Sequence, residues 1–360
     1  MAAELSASTA TVTGASTASV LAGAAVGVPV GRWLDRHGGR ALMTGGSALA
    51  TVLVLAWSQV RTVPQLYLVL TGVGLASGAV LYEAAFAVVV SWSDPHRRAD
   101  ALLVVTVVAG FASTVFLPLT AVLVERAGWR SALVVLGLLY GALAVPLHGL
   151  VLRRAPRAVG APHAADAGRR DAVRAALRDP GFWLLTVAFV ANAAATGAMA
   201  VHLVGFLVDA GHSATFAATV AGLLGVLSVA GRLLLAAARR RVPLALVVAA
   251  VFGLQAVAAA ALPWLAGARL GAVAGVVAFG LGFGASSLAK PALLADRYGT
   301  TAYGTISGAL STPVIVSRAT APLGAAVLLT ATGSYRPVLV AVGVACLVAA
   351  LGLARSVRPG

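Results

Sequence analysis

Charge is scarce in this sequence: Asp, Glu, Lys and Arg make up 10% of its 360 residues, and only 11 are acidic. An ordinary soluble domain carries roughly 25% charged and 45 to 50% apolar residues. Here 60% are hydrophobic, more apolar side chain than one soluble core can use. Cysteine occurs once, at Cys346 inside an apolar run, which excludes a disulfide framework and a Cys-based metal site. Lysine also occurs once, at Lys290, and no G-x4-G-K-[S/T] loop exists, so the chain lacks the phosphate cradle needed for ATP hydrolysis. Neither a G-x-S-x-G elbow nor an H-E-x-x-H pair is present, so hydrolase and metalloprotease chemistry have no carrier. The chain is expected not to be an enzyme and to need no cofactor or metal.

What fills the sequence instead is uncharged runs, at 5–31, 41–60, 101–124, 131–152, 180–208 and 242–268. Each matches or exceeds the roughly 20 residues that span a bilayer as helix. With their breakers they give eleven spans, near 13–34, 41–57, 66–90, 101–124, 131–152, 182–207, 214–238, 243–266, 269–294, 303–329 and 335–354. The expected class is an all-α polytopic membrane protein. A net charge of +15 would point to nucleic acid in a soluble chain, but here arginines in short loops report orientation, and no nucleic-acid partner is expected. Eighteen basic residues fall in one alternating set of loops (Arg32, Arg36 and Arg40, Arg97 and Arg98, seven between Arg153 and Arg178, Arg239 to Arg241, Arg297, Arg355 and Arg358). Five fall in the other (Arg61, Arg126, Arg130, Arg269, Arg336). The first set is read as cytoplasmic, which places the N-terminus of this chain outside and the C-terminus inside, in the cell membrane.

Residues 153–180 form the longest hydrophilic stretch and divide a bundle over 1–152 from one over 181–360. The stretch reads as a basic linker that fixes topology, with anionic lipid headgroups as the alternative partner of its arginines. The flanking halves are weakly self-similar. Asp35-Arg36 lies over Arg239-Arg240, Glu83 over Lys290, Pro118-Leu119 over Pro322-Leu323 and Trp129-Arg130 over Tyr335-Arg336, all at offsets between 204 and 207. Four matches in order mark structural repeats. The span at 182–207 then has no counterpart before residue 1, so the reading is two six-helix repeats with 11 of 12 helices present, through a late start or a real truncation.

The segment Gly31-Arg32-Trp33-Leu34-Asp35-Arg36-His37-Gly38-Gly39-Arg40 closely resembles the loop signature G-x-x-x-D-R-x-G-x-R of the major facilitator superfamily. The resemblance implies a transporter fold in which Gly31, Asp35, Arg36, Gly38 and Arg40 form a gate brace. Physically, Gly31 permits close helix approach, and Asp35 can pair with basic groups or cap a helix N-terminus across the repeats. The second copy, Arg239-Arg240-Arg241, lacks the acid, so its brace must be weaker or different. Leu81 to Phe86, Trp92 to Arg98, Gly110 to Pro118 and Gly128-Trp129-Arg130 further resemble bacterial monocarboxylate-permease-like transporters. One departure is on the eighth helix, where that branch's Asp before Arg is Ser228 before Arg232.

Ionisable groups within a span are costly and persist mainly where they face a cavity or a partner. Glu83 and Arg318 lie too deep to snorkel easily, whereas Arg232 and Lys290 could partly reach an interface. Glu83 is the proton-coupling candidate; Arg318, Arg232, Lys290, Asn192 and His202 are substrate-binding candidates. For each the alternative is structural: an ion pair, a snorkelling anchor, a carbonyl-bonded histidine or, for Asn192, interhelical glue. Three positive charges against one negative favour an anionic substrate. The leading reading is a monomeric, proton-coupled secondary transporter of a small organic anion such as a monocarboxylate, working by rocker-switch alternating access. The alternatives are an efflux antiporter of the same fold, against which 6% aromatic residues argue, and a transport-dead membrane sensor or partner.

Overall fold

A computed structural model of the chain describes residues 4, 5, 7–152 and 162–356, without the side chains of 9, 10, 113, 114 and 162–165. Arg153, Arg154, Arg157 and Arg358 of the topology count lie outside the described residues. Among the described residues every regular element is an α-helix: α1 (Thr9–Ala25), α2 (Gly27–His37), α3 (Gly39–Ser58), α4 (Val63–Val80), α5 (Tyr82–Trp92), α6 (Pro95–Gly110), α7 (Ala112–Val151), α8 (Pro162–Arg178), α9 (Pro180–Asp209), α10 (Ala214–Ala238), α11 (Leu244–Leu265), α12 (Arg269–Gly280), α13 (Ala285–Tyr298), α14 (Tyr303–Thr332) and α15 (Tyr335–Ser356).

Helix is what a bilayer demands, because lipid offers no partner to an open backbone amide. The ends are set by local chemistry. Ser8, Thr62 and Ser213 accept from the amides of Thr11, Gln65 and Phe216, and Asp179 accepts from that of Gly181. Inside the spans, hydroxyls turn back on their own helix, as Thr186 does to the carbonyl of Phe182 at 2.8 Å. Leu68, Leu150, Leu270 and Val327 are at least 70% exposed, a cost in water and none in hydrocarbon.

Among the described residues nine helical stretches are long and apolar enough to cross a membrane, or ten if the bent pair α1 and α2 is one crossing. The stretch Pro95–Val151 has 57 residues and turns at Gly128 (φ 76°, ψ 165°). One crossing needs only about 20 residues, so it supplies two, in agreement with the eleven spans read from sequence. Two further crossings are broken. α4 stops at Leu81, whose backbone is extended, before α5 resumes; α12 and α13 are separated by the turns at 281–284.

The chain forms two compact units. The first contains 1–93, 111–176 and 298–312; the second contains 94–110, 177–297 and 313–360. The segments 94–110 and 298–312 start 204 residues apart, the repeat offset, so each sequence half contributes an equivalent segment to the unit built mainly by the other. In the first unit α3 packs on α7 and α4, and α4 packs on α1. In the second, α15 packs on α9 and α11 around Leu203, Leu207, Leu262, Phe279, Leu339 and Cys346. The hydrophilic stretch is partly structured: Ala-rich α8 carries Asp166 three residues before Arg169 and Asp171 three before Arg174, spacings that favour helix.

Candidate functional site

In the first unit the signature segment occupies α2, its end and the start of α3. Gly38 joins the helices at φ 73°, a conformation glycine adopts without strain. Asp35 ends up at the N-terminus of α14. Its Oδ1 accepts from the amide of Gly304 at 2.7 Å, and its Oδ2 accepts from the amide and hydroxyl of Thr305 at 2.8 and 2.6 Å. Those amides have no partner within their own helix, and the dipole end favours a carboxylate. Of the two roles open to Asp35 from sequence, the structure shows the helix cap. The approach is possible because Gly31 and Gly27 on α2 face Gly304 and Gly308 on α14. A methyl at Gly31 would overlap the carbonyl of Gly304, and one at Gly308 that of Gly27. Arg36 reaches Asp166 of α8 at 3.4 Å, and Arg169 bonds the same carboxylate. That hydrogen bond, aided by the Arg36 charge, holds Asp166 below the ordinary carboxylate range. Arg40 is half-buried in the first turn of α3.

Glu83 lies in the first turn of α5, just beyond the break at Leu81, where the new helix start favours its negative charge. Its Oε2 accepts from Ser307 at 3.1 Å and from Ser311 at 2.7 Å. The two serines are one helical turn apart on α14 and at most 2% exposed. The next residue, Thr312, donates to the carbonyl of Ala24 at 3.0 Å. The first part of α14 therefore presents one stripe to α1 and α2 and an adjacent hydroxyl stripe to Glu83. Sequence inspection missed both serines. Their i, i+4 spacing was visible, but a Ser pair in an Ala- and Gly-rich helix carries no signal until its partner is known.

In the second unit Arg232 is buried. Its Nη1 donates to the carbonyl of Thr106 on α6, its Nη2 to Ser228 at 3.0 Å and its Nε to the carbonyl of Gly284 at 3.4 Å. It thus ties α6 and α10 to the break between α12 and α13. Gln255, also missed from sequence, holds the other side of that break by donating to the carbonyl of Phe279 at 2.9 Å. Asn192, fully buried, donates to Gln255 at 3.0 Å, leaving its Oδ1 without a hydrogen-bond partner among the described residues. Lys290 is buried in α13, beyond the same break. His202 bonds the carbonyl of Pro322 through Nε2 at 3.0 Å and stands edge-on to Tyr335. Arg318 differs from all of these. The residue is exposed midway along α14, and among the described residues it has neither a hydrogen-bond nor an ion-pair partner. Its backbone is crowded, since a methyl on Gly197 would come 2.7 Å from its carbonyl oxygen.

The second copy of the signature is also occupied. Arg239 pairs with Asp100 of α6. Nearby, Arg297 grips Asp179 through Nε at 2.7 Å and Nη2 at 3.1 Å while donating to the carbonyl of Ser356. Among the described residues no cluster of three or more His, Cys, Asp or Glu suited to a metal ion occurs.

Comparison with known proteins agrees with this architecture. No curated protein matches the chain in sequence. Among solved structures, a single-site variant of the E. coli fucose:proton symporter FucP superposes with a TM-score of 0.77 at 15% identity, covering 97% of this chain and 91% of that one. FucP in the outward conformation gives 0.71 at 16% identity, with 96% and 90% covered. The human organic anion transporter MFSD10 gives 0.68 at 20% identity, with 96% and 83% covered. At such identities the likeness establishes fold alone. The sequence profile of the Major Facilitator Superfamily matches residues 1–322, and with the helical architecture described above it shows that the chain belongs to that superfamily of membrane transporters.

Proposed function

We propose that this chain is a proton-coupled secondary transporter of a small organic anion, with a monocarboxylate as the leading substrate class. The observation that carries the anionic assignment is Arg318: an arginine exposed midway along a membrane helix, with no protein partner among the described residues. A cation in that position is costly unless an anion or water meets it, and a guanidinium fork matches a carboxylate in geometry as well as charge. Arg232, Asn192 and His202 are each bonded to carbonyls or amides of neighbouring helices, which suits a packing role, and Lys290 remains a secondary candidate.

Glu83 is the proton site in this reading. It is an acid within a span, at a helix break, bonded by hydroxyls that can adjust to either protonation state. A proton on Glu83 and an anion on Arg318 neutralise both charges, and the repeats at 1–152 and 181–360 then rock in alternating access. The Asp35 cap on α14 serves as a gate brace on the cytoplasmic side, where the 18 topology arginines belong. The protein acts as a monomer in the cell membrane. FucP, a fucose:proton symporter of the same fold, and the human organic anion transporter MFSD10 are compatible with this reading. The test is uptake of labelled mono- and dicarboxylates into proteoliposomes, with and without an inward proton gradient. Gradient-driven accumulation of a monocarboxylate is expected in wild type. Glu83→Gln should retain exchange and lose accumulation; full gradient-driven accumulation in Glu83→Gln would remove the proton-site assignment.

A further inference from the structure

We infer that Ser307 and Ser311 are positioning residues for the proton on Glu83, and that through them the charge of Glu83 controls whether the start of α14 stays docked. The inference rests on the reading of Glu83 as the proton site. Both hydroxyls donate to a single carboxylate oxygen, Oε2, at 3.1 and 2.7 Å. A hydroxyl has one proton to donate, and each serine places its hydroxyl within bonding distance of this acceptor. Bonds to an ionised acceptor are roughly twice as strong as bonds between neutral groups. When a proton from bulk water adds to the carboxylate, Glu83 becomes a neutral acid and both serine bonds drop to the weaker class. The adjacent stripe, where Gly304, Gly308 and Thr312 meet α1 and α2, keeps its contacts but loses this support.

The geometry makes the effect specific to one segment. Ser307 and Ser311 belong to residues 298–312, which cluster with the unit built mainly from the first sequence half, while α14 continues into the other unit from Pro313. Releasing the serines therefore acts on the part of α14 that belongs to the first unit. The charged and titratable groups on the helices packed against α5 are Arg32, Asp35, Arg36 and His37 on α2, Arg40 on α3 and Tyr67 on α4; the docked part of α14 adds Tyr303. Asp35 is held by the α14 amides, and the basic groups lie toward the signature loop. His37, exposed at the end of α2, is the one residue there of a type that ordinarily titrates near neutrality, so it needs its own control.

The experiment uses the full chain in proteoliposomes and in nanodiscs, with Cys346→Ala as background. Removing donors that favour the ionised acid makes Glu83 take up its proton at higher pH. Ser307→Ala combined with Ser311→Ala should raise the midpoint of the uptake pH profile by about one unit, from the loss of two charge-assisted bonds. The single Ser311→Ala variant should give about half that shift, which keeps the test available if the double variant folds poorly. Ser311→Thr, which retains the hydroxyl, should restore the wild-type midpoint. In parallel, Ala302→Cys, a position 1% exposed just before α14, reports undocking by its rate of labelling with a water-soluble maleimide, corrected for the reagent's own pH dependence. Labelling should be faster at low pH in wild type and in His37→Gln, and fast at all pH values in Glu83→Gln and the double serine variant. If Glu83→Gln abolishes gradient-driven accumulation while the serine variants keep a wild-type profile and labelling, the serine assignment fails and the proton site stands. If Glu83→Gln still accumulates substrate, the proton-site reading fails first and takes this inference with it.

Discussion

Asp35→Asn isolates the charge of the signature acid at nearly constant volume, and the structure says what the amide must give up. Asp35 offers one oxygen to Gly304 and the other to two donors of Thr305. Asparagine has one oxygen. Its best orientation keeps that oxygen on Thr305 and turns the amide nitrogen toward the Gly304 N–H, donor against donor. The variant thus loses one charge-assisted hydrogen bond outright, about 1.5 to 3 kcal/mol, and the charge at the helix start, about 0.3 to 1 kcal/mol. A net loss near 2 kcal/mol lowers the population of the docked arrangement relative to the undocked one by roughly 30-fold. If docking of α14 closes one side during the transport cycle, initial uptake should fall severalfold at unchanged expression, and Ala302→Cys should label faster. Thr305→Val keeps both backbone donors and removes only the hydroxyl, about 1 kcal/mol, so it should lie between wild type and Asp35→Asn in both assays. Wild-type uptake and wild-type labelling in Asp35→Asn would refute the gate reading and leave the cap as a purely local stabiliser of α14.

The other predictions concern topology and the two spanning arginines. Cysteine at Ala167, exposed on α8, should react only with reagent on the cytoplasmic side, and cysteine at Ala214, exposed at the start of α10, only with reagent outside; the reverse pattern would invert the orientation. Arg232→Met should lower the yield and melting temperature of purified protein, because it strips donors from the Thr106 and Gly284 carbonyls and leaves Ser228 without its partner; normal stability would show that these bonds are dispensable. Arg318→Lys should fold normally but raise the apparent KM for a carboxylate at least tenfold, since an ammonium cannot reproduce the fork; an unchanged KM would free Arg318 from the substrate.

Much of the architecture was legible because lipid makes the code simple. Charge-free runs of about 20 residues leave little alternative to spanning helix, and the repeat offset that aligned Asp35 with Arg239 also relates the two exchanged segments. The breaks were not legible. Nothing in Val80-Leu81-Tyr82 resembles a stop signal, and the extended backbone at Leu81 follows from packing that local sequence does not encode. The site was half legible. Ionisable residues inside spans announce themselves, so Glu83, Arg232, Lys290 and Arg318 were found, but the partners of Glu83 and Arg232 are serines and backbone carbonyls, which look ordinary in sequence. Separating a packing arginine from an exposed one took the structure: sequence offered both Arg232 and Arg318 as substrate-binding candidates, and one is spent on carbonyls and Ser228 while the other is exposed.

The expectation that the second signature copy must brace differently now has a physical form. Asp35 and Arg239 occupy equivalent positions, 204 residues apart, and so do their partners Asp100 and Gly304. In the first copy the loop supplies the anion and the facing helix supplies backbone donors. In the second copy the loop supplies the cation and the facing helix, α6, supplies the anion from its second turn. The polarity is inverted while the position is kept, so each repeat can use a short polar contact at the same place without the two copies competing for each other's partners. The materials differ in consequence. An amide cap is held by geometry, tolerates salt and fails if Gly31 acquires a side chain, because the helices can no longer approach. The Asp100–Arg239 pair is an ion pair whose carboxylate side chain is 56% exposed, so salt screens it and its geometric demands are looser. Of the two contacts, the cap should be the stronger constraint at physiological ionic strength, and the ion pair the one that ionic conditions can adjust.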